Sequence, residues 1–121
     1  TTKKIEAEKA LLFDELKMKK SLKESLIEKL KNYRFIDDMN DFRDGAYIRW
    51  INIEKIDDIN KLELQRGSFI SETNLMGDDI HITCRTITRK YIKIMGSQNL
   101  IFQKLSDQER IILSVLDYIE K

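Results

Sequence analysis

A chain of 121 residues that is 41% hydrophobic and 36% charged, with a net charge of +1, closes one core and is too short for a second domain. No apolar run nears the roughly 20 residues that span a bilayer, and the charged start leads into no signal-peptide hydrophobic region. With one cysteine, Cys84, and one histidine, His81, an intrachain disulfide and a Cys/His zinc site are both excluded, and the cytosol, the nucleus or a particle assembled there is the expected location.

Residues 1–31 hold no glycine or proline and are rich in Ala, Leu, Glu and Lys, which predicts one long helix. At 100° per residue, Ile5, Leu12, Leu16, Leu22, Leu26, Ile27 and Leu30 fall in one arc, with Lys9, Lys17, Lys20 and Glu28 largely outside it. Such a helix is roughly 45 Å long, so part of it should overhang a small body. Leu11, Leu12, Phe13, Leu16 and Met18 lie on the half expected to overhang, and they are the predicted contact for a protein partner or for self-association by helix-in-groove or coiled-coil pairing.

Residues 32–45 form an acidic connection too apolar to be a free linker, since it carries Tyr33, Phe35, Ile36, Met39 and Phe42. The periodicity then changes from helical to alternating. Strands are expected from Gly45 through Asn52 and over 62–71, 80–86, 91–95 and 100–104, with turn chemistry at Gly67, at Gly77-Asp78-Asp79, at 88–90 and at 96–99. Five short strands in series suggest an antiparallel meander or a small barrel. Ser106, three residues before Glu109, makes a capping box that opens a helix over 107–120, and its apolar face (Ile111, Ile112, Val115, Leu116, Ile119) should bury against the sheet. The expected architecture is therefore a single α+β domain over 1–121: an amphipathic helix over 1–31, a five-stranded antiparallel sheet or barrel over 45–104, and a capped helix over 107–120.

Catalytic constellations are scarce. His81 and Cys84, the one possible base and thiol nucleophile, are three residues apart in a predicted strand and so point to opposite faces. A calcium loop starting at Asp38 fails, because its fifth position is Phe42 and its twelfth Arg49; one starting at Asp58 meets Leu62 and Phe69. Gly77-Asp78-Asp79 matches the carboxylate triplet of polymerase palms, but a chain this short cannot hold the rest of that fold, and a hairpin turn is the simpler reading. Glycines 45, 67, 77 and 96 lie too far apart for a phosphate loop. No metal, cofactor or catalytic residue is expected.

Charge is unevenly laid out, at +4 over residues 1–35, −6 over 36–83 and +3 over 84–121. That layout suits contacts between copies or internal neutralisation better than general duplex binding. Arg85, Arg89, Lys90 and Lys93, with Tyr91 among them, are the concentrated basic stretch outside the first helix, and they make a nucleic-acid-binding hairpin the alternative reading.

The segments Gly-Ala-Tyr-Ile-Arg-Trp-Ile-Asn (45–52), Arg-Gly-Ser-Phe-Ile (66–70) and Leu-Ile-Phe-Gln-Lys-Leu-Ser-Asp-Gln-Glu-Arg-Ile-Ile-Leu (100–113) resemble stretches in small proteins of large nucleocytoplasmic DNA viruses. The resemblance implies a virion or particle component and carries over no site residue. Together these readings lead to the expectation of a non-catalytic structural or adaptor protein.

Overall fold

In the computed structural model, which describes residues 1–54 and 56–120, the N-terminal stretch is a helical hairpin rather than one helix: α1 (Thr2–Glu15) and α2 (Lys20–Lys29). The break needs no glycine. Lys17 takes a left-handed backbone, φ 55°, and its N–H bonds to the Asp14 carbonyl at 3.1 Å, which closes the end of α1. Outside the helices, the Asn60 side chain accepts from the Lys19 N–H at 2.8 Å, and Lys23 on α2 reaches Asp14 on α1 at 2.6 Å. A left-handed lysine costs about 1–2 kcal/mol, but folding back lays both halves of the apolar stripe on one sheet, where a straight helix would hang half of it in water.

Among the described residues the sheet has six antiparallel strands rather than five: β1 (Tyr33–Ile36), β2 (Tyr47–Asn52), β3 (Ser68–Met76), β4 (Asp79–Arg85), β5 (Tyr91–Met95) and β6 (Asn99–Lys104), in the order β1-β6-β2-β3-β4-β5. Residues 62–67, expected as strand, mostly connect β2 to β3 and make one isolated bridge, Leu64 to Ile51. The chain inserts β6 between β1 and β2 instead of running as a meander. Asn99 to Gln103 are accordingly buried at every position.

The sheet curls but does not close. β5 stands four places from β6, yet only the 3₁₀ turn Gly96–Gln98 joins them, and three residues reach about 10 Å. The strands from β6 to β5 must therefore bend round, aided by an irregularity in the β3–β4 register between Ile70 and Glu72. β5 and β6 do not pair, so this is an open sheet and the expected barrel is not formed.

Each face has its own core. Phe13, Leu26, Leu30, Ile51, Leu100 and Phe102 form one beneath α1 and α2, completed by Ile56, Ile59, Leu62 and their neighbours in the β2–β3 connection. Ile48, Ile70, Ile82, Cys84, Ile94 and Ile101 form the other on the concave side, with Ala46 and Phe42 packed on it. The Gln103 side chain, nearly fully buried, ties down the preceding loop: it accepts from the Arg43 N–H at 3.0 Å and donates to the Asp41 carbonyl at 3.0 Å.

The last helix, α3 (Asp107–Ile119), starts as the capping box requires. Ser106 Oγ accepts from the Glu109 N–H, and Glu109 accepts from the Ser106 N–H. Its packing is not as expected, as described below.

Candidate interaction surfaces

His81 and Cys84 lie on opposite faces of β4, with Cys84 in the concave core and His81 opposite Asn74 and Met95. Burial pushes the Cys84 thiol up to about 12, which keeps it protonated and inert. Asp79 accepts from the Ser97 hydroxyl at 2.7 Å and the Ser97 N–H at 2.9 Å, bonds that hold its carboxyl below the usual range. His81 Nε2 stands 3.6 Å from the same carboxylate. Here the aspartate sits between serine and imidazole, whereas a nucleophilic triad needs the imidazole in the middle. Gly77, at φ 65°, is the first turn residue of the β3–β4 hairpin, so Gly77-Asp78-Asp79 is a hairpin turn of the kind that places glycine there. Among the described residues no group of three or more His, Cys, Asp or Glu is placed to hold a metal ion, and no helix is long and apolar enough to cross a membrane.

The overhang on which the N-terminal contact depended is absent. Phe13 is fully buried, its ring centroid 5.9 Å from that of Phe102, while Leu12, Leu16 and Met18 pack against the same core. Of the five residues expected to bind a partner, only Leu11 is largely exposed. Helix reversal after Leu16 turns that surface into core. Lys9, placed outside the apolar arc by helical periodicity, is fully buried between the two helices, where its Nζ reaches the Leu30 carbonyl at 2.7 Å and Glu6 at 2.8 Å.

The exposed apolar helix is instead α3. Ile111, Ile112, Val115, Leu116, Tyr118 and Ile119 are between 41% and 76% exposed, and at 100° per residue they share an arc of roughly 160°. The opposite side meets the body: Glu109 pairs with Arg43 at 2.8 Å, Leu113 is half-buried, and Asp117 accepts from the Thr2 N–H at 3.1 Å. Hydrogen bonding from Thr2 holds the Asp117 carboxyl below its usual range. The sheet face that α3 was expected to cover is already filled by α1, α2 and the β2–β3 connection. Anchored by these polar contacts, α3 turns its apolar stripe to water along the rim of an open groove of about 610 Å³ between α1 and α3.

A second concavity, of about 580 Å³, lies at the open end of the curled sheet. Trp50 and Ile92 line it with Tyr33, Tyr47, Arg49 and Arg66, and the turn at Ile87 forms its far side. Burial raises the Tyr33 phenol, while the Arg49 charge pulls it the other way. Across Ile87 a shallower hollow of about 500 Å³ continues past Phe69, Arg85 and Arg89. The register places Tyr47 opposite Phe69, Phe69 opposite Arg85, and Arg85 opposite Tyr91, a row running across four strands. Of the basic hairpin expected from sequence, Arg85 and Arg89 line the hollow and Tyr91 ends the row; Lys90 and Lys93 are exposed but line neither concavity. Sequence reading missed Tyr47, Arg49, Arg66 and Phe69, which join these residues only through strand pairing.

Compared with protein-family models, with curated proteins and with solved structures, the chain finds no match in any of the three.

Proposed function

We propose that this chain is a non-catalytic assembly module that pairs with a second copy of itself through the apolar face of α3. The observation that carries the reading is that helix: six large apolar side chains, contiguous on one arc and exposed, on an element whose other side is fixed to the body by ion-pair and hydrogen-bond contacts.

Two magnitudes favour a copy of the same chain. A compact monomer of 14.4 kDa exposes roughly 6,800 Å², and this chain exposes 8382 Å². The six α3 side chains account for on the order of 700 Å² of that surface, above what monomers ordinarily leave in one patch and near the roughly 800 Å² that each partner of a standard interface contributes. The stripe is also self-complementary. An antiparallel pair of α3 helices with its two-fold axis at Val115 sets Ile111 against Ile119 and Ile112 against Tyr118 across the axis, the arrangement an isologous contact requires. A dimeric building block also suits the particle component that the viral resemblance implies, a point that rests on that resemblance alone.

The test is sedimentation of the wild-type chain beside an Ile112→Glu, Val115→Glu double variant. Both positions are at least half exposed, so the variant should keep its circular dichroism spectrum and melting cooperativity while sedimenting as a monomer. A wild-type chain that stays monomeric to about 100 μM, weaker than specific dimers of this size, or a variant that still dimerises, would overturn the reading. A monomer that instead captures a different amphipathic helix on α3 would also reject self-pairing.

A further inference from the structure

We infer that the open end of the curled sheet binds single-stranded nucleic acid, by stacking bases on an aromatic row and holding the phosphates with arginines. This inference does not rest on the α3 contact, because the two surfaces share no residue.

Charge is the first argument. Four of the chain's seven arginines, Arg49, Arg66, Arg85 and Arg89, line the two adjoining concavities, and no aspartate or glutamate lines either one. In a chain with 21 acidic residues, the exclusion of carboxylates from both hollows is a pronounced local bias. Arg34 and Arg43 lie elsewhere and pair with Asp41 and Glu109. Among the described residues Arg66, Arg85 and Arg89 make no ion pair, and Arg49 spends one N–H on the Gln65 carbonyl at 3.0 Å. Guanidinium groups without carboxylate partners on an exposed surface suit an anionic ligand, and their fork geometry matches phosphate.

Aromatic placement narrows the ligand. Phe69 is 49% and Tyr91 64% exposed, with Arg85 between them in the row. Tyr47 meets Phe69 edge-on with ring centroids 5.0 Å apart. Tyr47 also lies close over Gly67, where a Cβ would fall 2.1 Å from the ring, so the ring occupies space that only glycine leaves open. Exposed rings on a sheet surface with a guanidinium in their row and three more arginines beside it suit an extended strand with unstacked bases and phosphates. A phosphorylated peptide would use the arginines but leaves the rings without a role, and a duplex keeps its bases away from them.

The far wall is pre-set. The 86–90 turn is held by Thr86 N–H to the Lys90 carbonyl at 2.8 Å, Arg89 N–H to the Thr86 carbonyl at 2.9 Å, and Lys90 N–H to Thr86 Oγ1 at 3.1 Å. Within it Arg89 holds a left-handed backbone, φ 64°, a conformation uncommon outside glycine. The 85% exposed Ile87 stands on the same turn, between the two hollows.

Fluorescence anisotropy with labelled oligo-dT and oligo-U of about twelve nucleotides, a length within the site size of one small sheet domain, tests the inference. Binding at low salt should weaken as salt rises, and Arg66→Gln with Arg85→Gln should reduce the slope of log affinity against log salt by about 1.4, two contacts at the single-strand value. Tyr91→Ala should lose roughly fivefold or more in affinity while Tyr91→Phe keeps it, as stacking requires. These positions are exposed, so an unchanged melting curve will certify the fold of each variant. Absence of binding at low salt, indifference to Tyr91→Ala, equal affinity for a duplex, or equal affinity for a phosphopeptide of matched charge would each overturn the assignment.

Discussion

Replacing Lys9 by methionine tests how the two N-terminal helices are held together. Lys9 rises from α1 with no exposed surface, and its ammonium meets the Leu30 carbonyl at 2.7 Å and the Glu6 carboxylate at 2.8 Å. Leu30 is the residue that ends α2, so the ammonium caps the negative end of that helix from a neighbouring one. Methionine keeps the length and apolar stem of lysine and removes only the charge and its donors. The loss is one charge-assisted hydrogen bond, about 1.5–3 kcal/mol, while the Leu30 carbonyl keeps the Tyr33 N–H at 2.9 Å. Against it stands the desolvation of the ammonium, which methionine does not incur. Glu6 is 37% exposed at its side chain, and its share is under about 1 kcal/mol because it can turn to water. The net expectation is a loss of about 1–2 kcal/mol for Lys9→Met, carried by the lost charge-assisted bond. In urea denaturation that is a drop of roughly 1 M in the midpoint at unchanged slope, with Glu6→Gln falling by less than half as much. A Lys9→Met chain as stable as the wild type would show that the cap contributes nothing and that the buried lysine serves only through its stem.

Phe13→Ala removes a fully buried ring that packs on Phe102; it should cost about 3–5 kcal/mol in the same assay, and a loss below about 1 kcal/mol would mean that α1 does not dock as described. Gly67→Ala places a Cβ 2.1 Å from the Tyr47 ring; displacing that ring should destabilise the chain by about 1–3 kcal/mol and change tyrosine near-ultraviolet dichroism, whereas unchanged spectra would show that the ring moves freely. Asp117, bonded to Thr2, has its carboxyl below the usual range, so the stability it contributes is complete above the unfolded-chain value near pH 4 and is lost as pH falls through the lower folded value. Asp117→Ala should therefore melt below the wild type at neutral pH, with the gap closing in acid; a gap that stays constant across that range would remove the carboxylate from the account.

What could be read ahead of the structure follows from where the physics is local. The α3 helix was legible because Ser106 and Glu109 satisfy each other's backbone within one turn, β2, β4 and β5 because alternation lies inside each segment, and β6 because a short apolar run follows turn residues. The α1–α2 break was not legible. Its signals are a left-handed lysine and an amide held by Asn60, 41 residues away in sequence. β1 was not legible as a strand, since Tyr33-Arg34-Phe35-Ile36 is short and three of its four residues are apolar or aromatic, which leaves little alternation to read. The stripe on α3 was found, but amphipathicity says that a face should be covered and not which molecule covers it. The row at the open end of the sheet was half visible: Arg85, Arg89 and Tyr91 are near neighbours in sequence, whereas Tyr47 and Phe69 reach them through the strand register alone.

The position of β6 has a consequence for how the chain acquires its shape. β1 and β2 follow one another closely, but each is zipped to β6 and not to the other, so neither finds its main neighbour until residues near the far end have been synthesised. Before β6 is in place, the helical hairpin and the β2–β3–β4–β5 ribbon can each form as local units. Docking of β6 unites them, a long-distance closure of the kind that slows folding, and without it the strand pairing that holds β2 in the sheet is the short one with β3, of Tyr47 with Phe69 and Ile48 with Ser68.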